Sequence, residues 1–161
     1  MSANIKIAPS IVAADFTRLA EEIRECEAAG ASYLHIDVMD GRFVPPITLG
    51  APIVEAIRRA TDLVLDIHLM IVEPEKHIGA FMDAGGDIIN VHVEATPHIH
   101  RVVQEVHARG KRAGVCLNPG TPVGAIEEVL PLVDQVMVMA VNPCWSGQAF
   151  IASAIGKVSQ V

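Results

Sequence analysis

The chain has 161 residues, of which 51% are hydrophobic and 19% are charged, so we expect one compact domain spanning residues 1–161. Its net charge of −7 argues against a nucleic-acid-binding surface but does not exclude a phosphorylated small molecule, whose site is local. No apolar run reaches bilayer-spanning length and no leader-like segment is evident, so we expect a cytoplasmic protein that does not bind membranes. Its three cysteines, Cys26, Cys116 and Cys144, cannot all pair, which fits a reducing compartment.

Strand-like and helix-like segments alternate along the chain. Short runs rich in valine and isoleucine predict six strands, at residues 5–11, 33–39, 63–70, 88–93, 113–117 and 136–140. After the first run, Asp15 is a potential helix cap, and apolar residues follow at helical spacing up to Gly30. Further helices are predicted behind the other strands, at residues 52–59, 74–84, 97–109, 121–130 and from 152 onward.

The strand–helix units recur at similar intervals, which indicates an internal repeat. Strands with little polar alternation are buried on both faces, and this predicts an α/β fold with a parallel sheet and helices outside. An open doubly wound sheet and a closed TIM-type β/α barrel both fit. The barrel is favoured because no G-x-G-x-x-G follows the first strand and because polar residues end several strands. About six of the eight strand–helix units of such a barrel are then present.

The most informative stretch is the second predicted strand, residues 33–39. Because side chains alternate across a strand, His35 and Asp37 point to the same side. Burying an imidazole and a carboxylate is costly unless each one binds a metal ion or forms hydrogen bonds. The pair is therefore either a metal or acid/base site or a hydrogen-bonded pair in a core. His68, near the end of the third strand, could join them. Two histidines and a carboxylate suit a divalent ion such as zinc.

A second candidate feature is the loop at residues 142–148, which follows the sixth predicted strand. Its small residues and the helix start behind it would allow backbone N–H groups to bind a phosphate. A tight connection without a ligand is the alternative.

Four blocks together resemble the signature of the ribulose-phosphate 3-epimerase family: residues 8–16, 35–45, 66–70 and 141–148. They occur in the family's order and spacing. The resemblance implies a β/α barrel that interconverts D-ribulose 5-phosphate and D-xylulose 5-phosphate in the pentose phosphate pathway. It also implies one divalent metal ion, for which zinc is the first candidate and iron, manganese or cobalt are alternatives.

The resemblance also implies roles for individual residues. By match to the family motifs, His35, Asp37 and His68 would be metal ligands, and Asp37 would also be one catalytic acid/base. Ser10 and His68 would contact substrate. The chemistry agrees, because inverting a carbon beside a ketone removes a proton from one face and returns one to the other through an enediolate that a metal ion stabilises.

The family motifs further assign a phosphate site and a sulfur-rich pocket. The substrate phosphate would be held by Cys144, Trp145, Ser146 and Gly147. The metal pocket would be lined by Met39, Met70 and Met139. Ordinary core methionines are an equally good interpretation of these three residues.

Two features depart from the family pattern. The family's second acid/base is an aspartate on a seventh strand, which this sequence lacks. We therefore expect a domain that lacks its last two strand–helix units and cannot complete the cycle alone. Position 144 is usually glycine, so Cys144 would be strained by about 1 to 3 kcal/mol if the loop needs a positive φ.

Other functions fit the same motifs. The runner-up enzyme is an epimerase of another ketose phosphate, such as allulose 6-phosphate. The alternative from a different class is a non-catalytic remnant that binds a phosphosugar or a metal, or an assembly partner that uses the open barrel edge. For the epimerase we expect a small sugar phosphate as the ligand and a homo-oligomer as the assembly.

Overall fold

The structure is a computed structural model, and it describes residues 5–144 and 147–161. Its helices and strands alternate along the chain. The strands are β1 (Tyr33–Met39), β2 (Val64–Met70), β3 (Ile88–His92), β4 (Arg112–Leu117) and β5 (Gln135–Val138). The α-helices are α1 (Leu19–Ala28), α2 (Ala51–Ala60), α3 (Ile78–Asp83), α4 (Ile99–Ala108) and α5 (Ser153–Val158).

All five strands form one parallel sheet in the order β1-β2-β3-β4-β5. Each strand therefore pairs with the next strand along the chain. This progression is that of a β/α barrel, because the order of a doubly wound sheet reverses at a switch point. The predicted α/β fold class is confirmed.

The two faces of the sheet differ in chemistry. On β1, Leu34, Ile36 and Val38 are buried in the main hydrophobic cluster with residues of the helices. The alternate residues, including His35 and Asp37, point to the opposite face, which would be the barrel interior. The helices therefore cover an apolar face, and the polar groups of the strands gather on the other.

The first predicted strand, residues 5–11, is the main difference from the sequence prediction. Among the described residues, this segment forms only an isolated parallel bridge between Ser10 and His35, with His35 N donating to Pro9 O at 2.8 Å. Ile5 and Ile7 are 81% and 68% exposed. A single bridge supplies no ladder of hydrogen bonds, and no described element covers these side chains, so the segment stays extended without becoming a strand.

The predicted helix at residues 121–130 is also different. In its place lie two short 3₁₀ helices, Val123–Ile126 and Leu130–Leu132. Gly124 has a low helix propensity, and backbone hydrogen bonds such as Ala125 N to Pro122 O and Val129 N to Ile126 O span three residues rather than four, so no continuous α-helix forms here. Within residues 5–144 and 147–161, no helix is both long and apolar enough to cross a bilayer.

Candidate active site

Three side chains from β1 and β2 converge on the interior face of the sheet. The register pairs Asp37 with His68 across the two strands, and His35 lies two residues before Asp37 on the same face. His68 Nδ1 lies 2.9 Å from Asp37 Oδ1, and His35 Nε2 lies 3.3 Å from the same oxygen. The structure thus brings together the three residues that the sequence predicts as metal ligands.

Asp66 holds His35 in place. His35 Nδ1 donates to Asp66 Oδ2 at 2.8 Å, so the other ring nitrogen, Nε2, faces Asp37. Asn90 Nδ2 and Gln135 Nε2 donate to the second oxygen of Asp66, at 2.7 and 3.2 Å. A carboxylate that fixes the ring of a histidine in this way is a common partner of a metal-ligating imidazole.

The sequence motifs alone did not reveal this role of Asp66. The alternation of side chains along a strand could have indicated it. Asp66 lies two residues before His68 and therefore on the same interior face of β2, just as His35 and Asp37 share that face of β1. The partners Asn90 and Gln135 depend on strand register and gave no comparable signal.

The charges of the site favour a cation between His35 and Asp37. Burial alone lowers the pKa of His35, but the hydrogen bonds and negative charges of Asp37 and Asp66 outweigh it and raise the pKa to about 9. Burial raises the pKa of Asp37, yet the two histidines outweigh this and hold it well below its usual range. Asp37 is therefore an anion at neutral pH, and His35 carries a proton on the nitrogen facing it.

A metal ion can take the position of that proton. The ligand atoms of His35, Asp37 and His68 all lie within 4.8 Å of one another. Two imidazole nitrogens and one carboxylate oxygen suit a divalent ion of the zinc, manganese or iron type. The donor set, the flanking Asp66 and the preference for positive charge all fit a bound metal ion.

An open cavity of about 380 Å³ lies against Asp37. It is lined by the predicted residues Ser10, Asp37, Met39, Met70, Met139 and Cys144, among others. Ser10 Oγ donates to Asp37 Oδ2 at 2.6 Å, so the carboxylate is held on both of its oxygens. The volume is sufficient for a small ligand. His68 is buried and, like His35, is not among the described residues that line this cavity, so the structure does not place His68 where the predicted substrate contact needs it.

The loop after β5 is partly described. Cys144 has a φ of +153° and Gly147 a φ of +80°, so both lie where an L side chain is unfavourable. The predicted strain at Cys144 is therefore present in the backbone. Trp145 and Ser146, two of the predicted phosphate-binding residues, lie outside the described residues. Gln148 closes the base of the loop with two hydrogen bonds. Its Oε1 accepts from Asn142 N at 3.1 Å, and its Nε2 donates to Asn142 O at 2.6 Å.

A second polar chain starts at His68 and runs across β3. His68 Nε2 lies 2.8 Å from His92 Nε2, and His92 Nδ1 lies 3.3 Å from Glu94 Oε2. Glu94 accepts hydrogen bonds from Asn118 N at 2.9 Å and from the hydroxyl of Thr121. Burial raises the pKa of Glu94, but these hydrogen bonds lower it to about 2, so Glu94 is a fixed anion.

A sequential parallel sheet with helices on one face and an acid/base cluster on the other defines a β/α-barrel enzyme. Solved structures agree on the fold. 3-Hexulose-6-phosphate synthase superposes with a TM-score of 0.63 at 19% identity, covering 95% of this chain and 71% of that one. A putative lyase/mutase from Burkholderia cenocepacia superposes with a TM-score of 0.62 at 18% identity, covering 96% of this chain and 58% of that one.

Sequence comparisons define the family. The profile of the ribulose-phosphate 3 epimerase family matches residues 6–161. The ribulose-phosphate 3-epimerases of Synechocystis and Bacillus subtilis are 54% and 55% identical to this chain, which spans 70% and 72% of their lengths. The chloroplastic ribulose-5-phosphate-3-epimerase of Arabidopsis thaliana is 51% identical, and the chain spans 57% of it. The chain belongs to the ribulose-phosphate 3-epimerase family and is an enzyme of the isomerase class.

Proposed function

We propose that this protein epimerises C3 of D-ribulose 5-phosphate to give D-xylulose 5-phosphate, with one divalent metal ion held by His35, Asp37 and His68. The observation that carries the proposal is the convergence of these three side chains beside an open cavity, in a chain that belongs to this epimerase family. Zinc is the first candidate for the ion, with iron, manganese or cobalt as alternatives that the same donors accept.

Asp37 is the group that exchanges the substrate proton. It is an anion, it lines the cavity, and Ser10 and His68 hold its two oxygens at 2.6 and 2.9 Å. The carboxylate thus has a fixed direction, which a general base needs. A bound divalent ion would stabilise the negative charge that develops on the substrate oxygens when C3 loses its proton.

The other residues position the reacting groups. Asp66 fixes the ring of His35, and His92 lies against the far nitrogen of His68. Ser10 contributes a hydroxyl at the cavity wall, where a sugar hydroxyl could replace Asp37 as its partner. The loop that contains Cys144, Trp145, Ser146 and Gly147 would bind the phosphate through backbone N–H groups.

The proton on the opposite face of C3 needs a second acid/base. Asp37 is the one carboxylate among the described residues that line the cavity, so this chain offers no second one there. The chain spans about 70% of the length of the Synechocystis and Bacillus enzymes. The five strands alone would then exchange a proton on one face without inverting the carbon.

Two further expectations remain proposals. A cytoplasmic location is supported by three cysteines that are all free, as in a reducing compartment. A homo-oligomer is supported by apolar side chains that a single chain leaves exposed, such as Phe150, Ile155 and Val158. Light scattering of the purified protein gives the assembly state directly.

Solvent-deuterium exchange tests the reaction. The metal-loaded chain is incubated with D-ribulose 5-phosphate in D₂O, and label at C3 and formation of D-xylulose 5-phosphate are followed by NMR. We expect label at C3 in the wild type and at least about 100-fold less with Asp37→Asn, since a general base contributes that much. Asp83→Asn is the matched control, because Asp83 is exposed and paired with Arg109.

Each outcome has a defined meaning. Exchange without net epimerisation agrees with a half-site in this chain, and full epimerisation places both acid/base groups within it. Exchange of allulose 6-phosphate alone would assign another ketose phosphate. No exchange with any substrate, despite a bound metal ion, would contradict the catalytic proposal and favour a binding remnant.

A further inference from the structure

A second group of potential metal ligands lies deeper in the interior than the site described above. It consists of His68 Nε2 on β2, His92 Nε2 on β3 and Cys116 Sγ on β4, and these three atoms lie within 4.8 Å of one another. The register pairs His92 with Cys116 on adjacent strands. The three side chains are 1%, 0% and 0% exposed, so they form a closed cluster.

The two imidazoles of this cluster face each other through their Nε2 atoms, 2.8 Å apart. His68 Nδ1 lies 2.9 Å from Asp37, and His92 Nδ1 lies 3.3 Å from Glu94. Since a carboxylate only accepts hydrogen bonds, each Nδ1 is best satisfied when it carries the hydrogen. Each Nε2 then presents a lone pair, and the two lone pairs meet at 2.8 Å. The contact is favourable when one cation, either a proton or a metal ion, lies between the two nitrogens.

The donor set selects the kind of cation. Cys116 would release its thiol proton when a metal ion binds and would ligate as a thiolate, and the thioether of Met137 lies 3.8 Å from its sulfur. Two imidazoles with a thiolate and a nearby thioether suit thiophilic ions such as Zn²⁺, Cd²⁺ or Cu⁺ rather than Mg²⁺ or Mn²⁺. Each histidine also has a carboxylate on its other nitrogen, as metal-bound imidazoles commonly do.

The dimensions require only a small adjustment. A tetrahedral ion with metal–nitrogen distances of about 2.0 to 2.1 Å places its two nitrogens about 3.3 Å apart. The rings of His68 and His92 would therefore separate by about 0.5 Å from their present contact. Glu94 contacts Nδ1 of His92 and itself accepts hydrogen bonds from Asn118 and Thr121. The imidazole ring of His92 would therefore keep its orientation.

We propose that His68, His92 and Cys116 form a thiophilic metal site, separate from the catalytic one, that competes with it for His68. A neutral imidazole offers one lone pair. When Nε2 binds the inner ion, Nδ1 keeps its hydrogen on Asp37 and leaves the outer ligand set. A thiophilic ion in the inner site would therefore weaken metal binding at the outer site, and this defines an inhibitory site for such ions.

A spectroscopic titration of the full chain tests this site without reference to activity. Cd²⁺ bound to a thiolate gives an ultraviolet charge-transfer band. Burial, followed by the charges of Asp66 and Glu94, raises the pKa of Cys116 well above its ordinary value. The free side chain is therefore a thiol, and the band reports ligation only.

The variants isolate each group. The double variant Cys26→Ser/Cys144→Ser leaves Cys116 as the one cysteine of the chain, and we expect it to keep the band. Adding Cys116→Ser or Cys116→Ala to this double variant should abolish the charge-transfer band. His35→Ala removes a ligand of the outer site alone and should keep the band, so this result is independent of the proposed catalytic function.

The competition is measured with Mn²⁺, which prefers oxygen and nitrogen ligands. Mn²⁺ bound to the wild type is followed by electron paramagnetic resonance while one equivalent of Cd²⁺ is added. We expect Cd²⁺ to release Mn²⁺ from the wild type and to release at least about tenfold less from Cys116→Ser. No thiolate band in folded wild type would overturn the proposal, whatever the variants do. A band that persists without Cys116, or equal release from both proteins, would also overturn it.

Discussion

Metal affinity at the outer site should depend on pH through His35. Its pKa is raised to about 9, whereas the pKa of His68 is lowered to about 4 by burial and that of Asp37 lies well below its usual range. Between pH 6 and pH 8, His35 is thus the ligand that must lose a proton when the metal ion binds. One displaced proton changes the apparent association constant tenfold per pH unit, or about 100-fold over this range.

The sign follows from the site. As the pH falls, a higher proton concentration competes with the metal ion for His35, so metal binding weakens towards pH 6 and strengthens towards pH 8. Mn²⁺ is the suitable probe, because it has little affinity for the inner thiolate cluster. Calorimetry in buffers of different ionisation enthalpy gives both the association constant and the number of protons released.

Asp66→Asn provides the matched perturbation. It removes one of the two carboxylates that raise the pKa of His35, so this pKa should move towards its ordinary value of 6.5. The affinity of the variant should therefore level off above about pH 7. An association constant that does not change between pH 6 and pH 8 in the wild type would refute the reasoning, as would a variant with the wild-type slope.

Three further changes have defined outcomes. Gly114→Ala should lower the free energy of unfolding by about 1 to 3 kcal/mol in urea titrations, because its Cβ would lie 1.9 Å from the buried Asn90 amide oxygen; an unchanged midpoint would contradict this. Ile57→Ala should cost about 2 to 5 kcal/mol by the same measurement, since Ile57 is fully buried in the main cluster, and a loss below 1 kcal/mol would argue against that packing. Cys144→Gly should raise the stability by up to about 1 to 3 kcal/mol by relieving the strained φ; a loss of stability would show that the side chain contributes more than the strain costs.

Much of the fold could be predicted from local sequence. Runs of valine and isoleucine placed β1 to β5, and the cap and glycine signals placed most helices, because these features act within a few residues. The segment at residues 5–11 has the same composition but gains only one bridge, since a strand also needs neighbours that its own sequence does not specify. The helix expected at residues 121–130 is wrong, because the segment around Gly124 forms three-residue backbone hydrogen bonds in place of the four-residue bonds of an α-helix.

The candidate site was predictable to the extent that it follows the two-residue period of a strand. His35 and Asp37 share a face for that reason, and His68 lies opposite Asp37 in the register. The supporting contacts were not predictable in the same way. The hydrogen bond from His35 to Asp66 and the chain from His68 to Glu94 both cross between strands, and their partners are set by register and rotamer.

The most direct test of the proposed metal centre is a crystal structure of the Cys116→Ser variant, which lacks the inner site. The crystals are soaked in Zn²⁺, and anomalous data are collected at the zinc edge. We expect one anomalous peak within about 2.0 to 2.2 Å of His35 Nε2, Asp37 Oδ1 and His68 Nδ1. A peak that omits any of these ligands, or an ordered outer site with no peak at saturating zinc, would contradict it.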